Sequence, residues 1–170
     1  MSWADFGLSI AAKAAGLVQY LPAAILRRRY PVPRIREHLT ILARSTGPHI
    51  AVVEGQPAHI SSIDLVVFNR LPFPVEVDGL HAKIVLGSRI IGTFDKVKHL
   101  AVAGGAFDWL QLEHDLSDSQ AALIRRYPEG QPPSDCVLLQ ISGELTLRTS
   151  FRTLTIPFDV EARAFVYRGP

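Results

Sequence analysis

Ile63-Asp64-Leu65-Val66-Val67-Phe68-Asn69-Arg70-Leu71-Pro72-Phe73-Pro74-Val75-Glu76-Val77 reads as two β-strands joined at an Asn and two prolines. Asn69 can cap the end of the first strand through its side chain, and Asn tolerates unusual backbone angles. Pro72 and Pro74 each lack a backbone donor and force a corner, so the chain can cross from one sheet to the other. Phe73, between them, is placed to drop into the core. The second strand runs on through Asp78-Gly79-Leu80 to Leu86 and a Gly-Ser turn. The expected role of this corner is structural rather than that of a ligand loop.

Outward from the corner, short apolar runs and period-two alternation continue. Strand candidates are 38–43, 50–53, 60–69, 74–86, 89–94, 97–102 and 107–113, then two long ones, Val137 to Thr149 and Phe151 to Tyr167. In 107–113, Phe107 and Trp109 share one face with Gln111, while Asp108, Leu110 and Leu112 take the other. The aromatic face is expected to point inward, with Trp109 as a core residue. Gly104-Gly105 marks a hairpin turn or bulge. Pro157 argues for an edge position or a bulge in the last strand. Ser117 with Gln120 matches a capping box, which opens a short helix near 117–126. Turn signals every ten or so residues predict an all-β fold, an antiparallel β-sandwich of about eight strands.

The N-terminal segment is different. Trp3, Phe6, Ile10, Leu17 and Leu21 recur at helical spacing, with Asp5, Ser9 and Lys13 as a polar line. Pro22 is expected to end or kink this helix. The basic cluster Arg27-Arg28-Arg29 follows, and then Tyr30-Pro31-Val32-Pro33, whose alternating prolines favour an extended linker. The chain therefore divides into 1–36, an amphipathic helix with a basic Pro-rich linker, and 37–170, the sandwich. Three readings of the helix stand side by side: a transmembrane span over Phe6 to Leu26, an interfacial helix suited to anionic headgroups, or a helix packed on its own body or a partner. If it spans, the flanking arginines hold the body in the cytoplasm. No basic residue precedes the apolar part and no clean cleavage site precedes the arginines, so it does not read as a signal peptide.

Charge follows the same division. The formal net charge is +2, made of +4 over residues 1–37 and −2 over the rest. The basic character thus belongs to the leading segment, and it speaks to partners rather than to fold. At 170 residues, 48% hydrophobic and 20% charged, the chain can bury a core and is not a disordered polyelectrolyte. The single cysteine, Cys136, excludes an internal disulfide and reads as a half-buried strand thiol.

Candidate chemistry is sparse. The six histidines, at 38, 49, 59, 81, 99 and 114, form no metal-ligand spacing and have no cysteine pair beside them. In Glu113-His114-Asp115 the carboxylates share a strand face and the imidazole points away, a poor acid/base cluster. No Gly-x-Ser-x-Gly and no phosphate-cradling glycine loop is present. Asp64, on an apolar strand, needs a partner if buried; Arg70 or Lys83 could supply one. The arginines between 27 and 36 favour anionic lipid or an acidic protein surface over nucleic acid, because no aromatic stacking platform accompanies them.

The corner also carries a family resemblance. Asn69, Pro72, Phe73 and Pro74, the Gly79-Leu80 strand, the Gly143 strand and the closing Ile156-Pro157-Phe158 strand together resemble the late embryogenesis abundant type 2 domain, also called the water-stress and hypersensitive response domain. The likeness covers roughly 37–167. Arg70 and Leu71 depart from the family's Asn-Pro-Asn-Pro-Phe-Pro-like stretch. The resemblance implies an immunoglobulin-like or fibronectin-like sandwich, usually non-enzymatic, linked to stress protection and found in membrane-associated proteins. The expectation is a binding or structural module with no catalytic residues, metal, cofactor, nucleic acid or small-molecule substrate. Its contact residues are Trp3, Phe6, Ile10, Leu17, Leu21, Arg27, Arg28 and Arg29, and its place is the cytoplasmic side of a membrane. Its fold-defining residues are Asn69, Pro72, Phe73, Pro74 and Trp109. The alternatives are an accessory subunit of a larger membrane complex and, third, an enzyme or lipid carrier.

Overall fold

The structure is a computed structural model that describes residues 20–44, 48–53, 55–96, 99–126 and 136–167. Nine strands and three short helices occupy them: α1 (Ala23–Arg29), α2 (Val32–Glu37), β1 (Leu39–Ala43), β2 (His49–Ala51), β3 (Ala58–Asn69), β4 (Val75–Leu86), β5 (Arg89–Lys96), β6 (Leu100–Val102), β7 (Ala106–Leu116), α3 (Asp118–Arg126), β8 (Cys136–Thr149) and β9 (Arg152–Tyr167). The expected all-β sandwich is the fold observed.

One layer is β1, β3 and β7, with β3 in the middle. The other is β9, β8, β4 and β5, with β6 also on β4. Nearly all pairings are antiparallel. The exception is short β2, which pairs β3 antiparallel and β9 parallel and so stitches the two layers at one edge. Period two sets the core. Ile63, Leu65 and Val67 of β3, Leu110 and Leu112 of β7, Leu139, Ile141, Leu145 and Leu147 of β8, and Val77, Leu80 and Ile84 of β4 are all buried. Burial of each such side chain stabilises by about 1.5–3 kcal/mol.

Pro157 lies where β9 has β8 as its hydrogen-bonded neighbour, outside the Phe165–Tyr167 stretch that also pairs β2. Its missing donor is therefore not needed, as an edge proline requires. Gly143 sits where β8 comes close to β4. A Cβ there would collide with the His81 carbonyl oxygen and the Ala82 backbone.

The region before β1 is not an extended linker. Pro22 does not end a helix among the described residues; it begins one. Its carbonyl accepts from the Ile25 and Leu26 N–H groups, and a proline at a helix start has no donor to lose. Pro31 precedes α2, and Pro33 lies in its first turn for the same reason. Leu26, Tyr30 and Ile35 are buried in the common core, and Leu21 packs against it. Among the described residues, the common core thus includes side chains that precede residue 37. Ser117 caps α3 as its sequence predicts: the Ser117 N–H donates to Gln120 Oε1 at 2.7 Å, and the Gln120 N–H to Ser117 Oγ at 3.4 Å.

Candidate functional site

The corner that decides the fold is a buried hydrogen-bond node. Asn69 is 1% exposed. Its Nδ2 donates to the carbonyls of Phe73 (2.9 Å), Val102 (3.1 Å) and Ala103 (3.1 Å), and its Oδ1 accepts from the Leu71 N–H at 3.0 Å. The Asn69 carbonyl accepts from the Gly105 N–H at 2.8 Å. One side chain thus ties the β3–β4 corner to the β6–β7 turn. Gly105 has φ +73°, which glycine adopts without strain, and a Cβ on Gly104 would press on the backbone of Leu71 and Phe73. Phe73 is buried and meets Tyr30 and Phe151 edge to face, at centroid distances of 4.9 and 5.2 Å. Pro72 is half-buried and Pro74 exposed. Asn69 and Phe73 are thus buried at the corner, with Pro72 and Pro74 on either side of Phe73.

Trp109 is the exception and a correction. It is 37% exposed and stands on the outer face of β7 with Phe107, because Leu110 and Leu112 take the inner positions. The register sets Val66 opposite Trp109, Phe68 opposite Phe107 and Leu42 opposite Val66. Phe68 meets Phe107 at 5.2 Å, and Phe107 meets Trp109 at 6.2 Å. The outer surface of β1, β3 and β7 is thus an aromatic and aliphatic face.

Asp64 lies on that face and is 7% exposed. Its partner is neither Arg70 nor Lys83 but Arg44, whose Nη1 donates to Asp64 Oδ2 at 3.1 Å. The Arg44 N–H also donates to the Asp64 carbonyl at 3.0 Å, extending the β1–β3 ladder by one residue. The Arg44 guanidinium lies 5.2 Å from the centre of the Trp109 ring. Sequence reasoning missed Arg44; the period-two series Thr40, Leu42, Arg44 was the available signal.

Of the expected contact residues, Trp3, Phe6, Ile10 and Leu17 lie outside the described residues. Leu21 faces the body. Arg27 Nε donates to the Phe151 carbonyl at 2.8 Å, and Arg36 Nη2 to the Thr155 carbonyl at 3.0 Å. These two arginines occupy acceptors beside the open edge of β9 and limit strand pairing there. Arg28 and Arg29 are exposed, on the same side of α1 as the 49%-exposed Ile25. Among the described residues, no helix is long and apolar enough to cross a membrane.

The histidines do not converge. His59 Nδ1 is 2.7 Å from Asp115, His99 Nδ1 is 3.4 Å from Asp78, His38 Nδ1 is 2.9 Å from the Arg34 carbonyl, and His49 stacks on Phe165. Among the described residues, no group of three His, Cys, Asp or Glu side chains could hold a metal ion. The outer face of β4, β8 and β9 exposes Leu138, Phe165 and Tyr167 near one end and, elsewhere, carries a shallow open groove of about 410 Å³, bordered by His81, Lys83, Ser142 and Glu144. Near it, Arg148 binds Glu76 at 2.6 Å and Asp78 at 3.3 Å. The Glu76 hydrogen bond, and then the charges of Asp78 and Glu76, raise the Arg148 pKa above its ordinary value. Arg148 therefore keeps its charge until strongly alkaline pH.

No family model matches the chain, and no curated protein does. Solved structures do. A candidate late embryogenesis abundant (LEA) protein, solved in solution, is similar at a TM-score of 0.51 and 11% identity, over 91% of this chain and 86% of that one. A crystal structure of a protein from Archaeoglobus fulgidus is similar at a TM-score of 0.47 and 14% identity, over 71% of this chain and 94% of that one. At such identities the likeness to the LEA protein is one of fold.

Proposed function

We propose that this protein is a non-enzymatic β-sandwich module of the late embryogenesis abundant type 2 kind, held at an anionic membrane surface on its cytoplasmic side by its basic N-terminal segment. The observation that carries this reading is the outer side of α1. Ile25, Arg28 and Arg29 lie together there and are exposed, although Leu26, one residue along, is locked in the core. An apolar side chain flanked by cations suits the headgroup region, where each arginine near an anionic surface contributes about 1 kcal/mol. Tyr20, just ahead of α1, is 78% exposed, and the sequence before it is 1–19. Those residues bring the apolar stripe Trp3, Phe6, Ile10 and Leu17. The corner resemblance adds stress protection as the role of the tethered body.

The test is co-pelleting of the full chain with vesicles of phosphatidylcholine alone and of phosphatidylcholine mixed with phosphatidylserine. Binding is expected only with the anionic lipid and falls as salt rises. Arg28→Glu with Arg29→Glu lowers affinity at least about tenfold. Equal binding to both vesicle types, or no effect of the double variant, overturns the reading.

A further inference from the structure

We infer that the outer face of β1, β3 and β7 is a second lipid-contacting surface, which seats the body on the bilayer; this rests on the membrane reading above. Its exposed centre is Leu42 at 48%, Phe107 at 54% and Trp109 at 37%. Scattered single apolar residues are ordinary on protein surfaces, but a contiguous patch across three paired strands is not. Here the residues touch: Phe68, Phe107 and Trp109 form a chain of rings, and Leu42 and Trp109 stand opposite the same residue, Val66, from either side of β3.

The charges around the patch decide its partner. Arg44 is half exposed just past the end of β1, beside Asp64 midway along β3, and Arg70 is exposed just after β3. Asp64 is buried under Arg44 and ion-paired to it, and two exposed acids, Glu113 and Asp115, lie further along the same side of β7, away from Phe107 and Trp109. That pairing offsets the Asp64 charge next to the aromatic patch, while the Arg44 guanidinium stays at the surface beside the Trp109 ring. An apolar centre with Trp in it and arginines beside it is the composition that favours a membrane interface. The opposite layer also exposes apolar side chains, Leu138, Phe165 and Tyr167, toward the end of β9 that pairs β2, and it is polar elsewhere. Its other outward positions hold Glu76, His81, Lys83, Gln140, Glu144, Asp159 and Glu161, charges of both signs.

Position supports the same partner. The His38 carbonyl accepts from the Arg70 N–H at 2.9 Å, so the end of α2 lies against the Arg70 end of the face. The basic helical segment and the aromatic face therefore meet at one end of the sandwich, and both can reach one bilayer.

The chain has two tryptophans, Trp3 and Trp109. In the full chain carrying Trp3→Phe, Trp109 is the sole indole and reports on the face without altering it. With phosphatidylcholine–phosphatidylserine vesicles, its emission is expected to shift to the blue and to be quenched by lipids brominated in their acyl chains. Leu42→Ser with Phe107→Ser lowers vesicle affinity about tenfold, with an unchanged circular dichroism spectrum. If the chain pellets with vesicles while Trp109 is neither shifted nor quenched, the face is not a lipid contact and the N-terminal reading alone survives. Absence of pelleting removes both. If Leu42→Ser with Phe107→Ser instead converts a dimer to a monomer in sedimentation velocity and leaves vesicle affinity unchanged, the face joins copies of the chain and the assignment is wrong.

Discussion

Two sets of aromatic side chains serve opposite purposes in this sandwich. Tyr30, Phe73 and Phe151 meet edge to face beneath the β3–β4 corner and are all but hidden from water. Phe68, Phe107 and Trp109 also touch one another, yet they stand on the outer side of β3 and β7, and Phe107 and Trp109 are open to solvent. The difference shows that aromatic content does not mark a core. Strand parity only links positions: when Leu110 and Leu112 turn inward, Phe107 and Trp109 must turn out. The same kind of ring packs beneath the corner and stands open to water on the outer side of β7.

The comparison breaks most visibly at Phe73. Phe73→Ala is expected to cost about 3–5 kcal/mol in denaturant unfolding, since it opens a cavity against Tyr30 and Phe151. A loss below about 1 kcal/mol would mean that the corner is not packed as described. Arg44→Ala probes the join between the faces. It leaves a buried carboxylate without its cation and is expected to cost about 1–3 kcal/mol. Restoring Asp64→Asn in the same chain should recover part of that loss, which a double-mutant cycle would measure. Trp109→Ser is the smallest effect. It is expected to cost less than about 1 kcal/mol in the same assay, far less than Phe73→Ala. Equal losses at Trp109 and Phe73 would erase the distinction between the two sets.

Much of the fold was legible. Alternation at Leu139, Ile141, Leu145 and Leu147 placed β8, Asn69 and the two prolines marked the corner, and Pro157 marked the edge stretch of β9. The misreadings have physical causes. Pro31 and Pro33 exclude a helix interior but not a first turn, so α2 read as linker. In β7 both faces are apolar, and parity alone does not say which is inside; the larger side chains were taken for core. Arg44 could not be matched to Asp64 along the sequence, because the pairing arises only when β1 and β3 align Ala43 with Leu65. The N-terminal arginines were visible as a cluster. That Arg27 and Arg36 donate to carbonyls of the β8–β9 turn and of β9, while Arg28 and Arg29 face out, depends on how the helices dock.

The most direct test of the account places an environment-sensitive nitrobenzoxadiazole dye on a single cysteine, in a Cys136→Ser background, at Leu42 on one layer or at Glu161 on the other. On anionic vesicles, the dye at position 42 should brighten and shift to the blue, while the dye at 161 should not change. Equal responses at both positions, or a response at 161 alone, would contradict a body that meets the bilayer through its aromatic face.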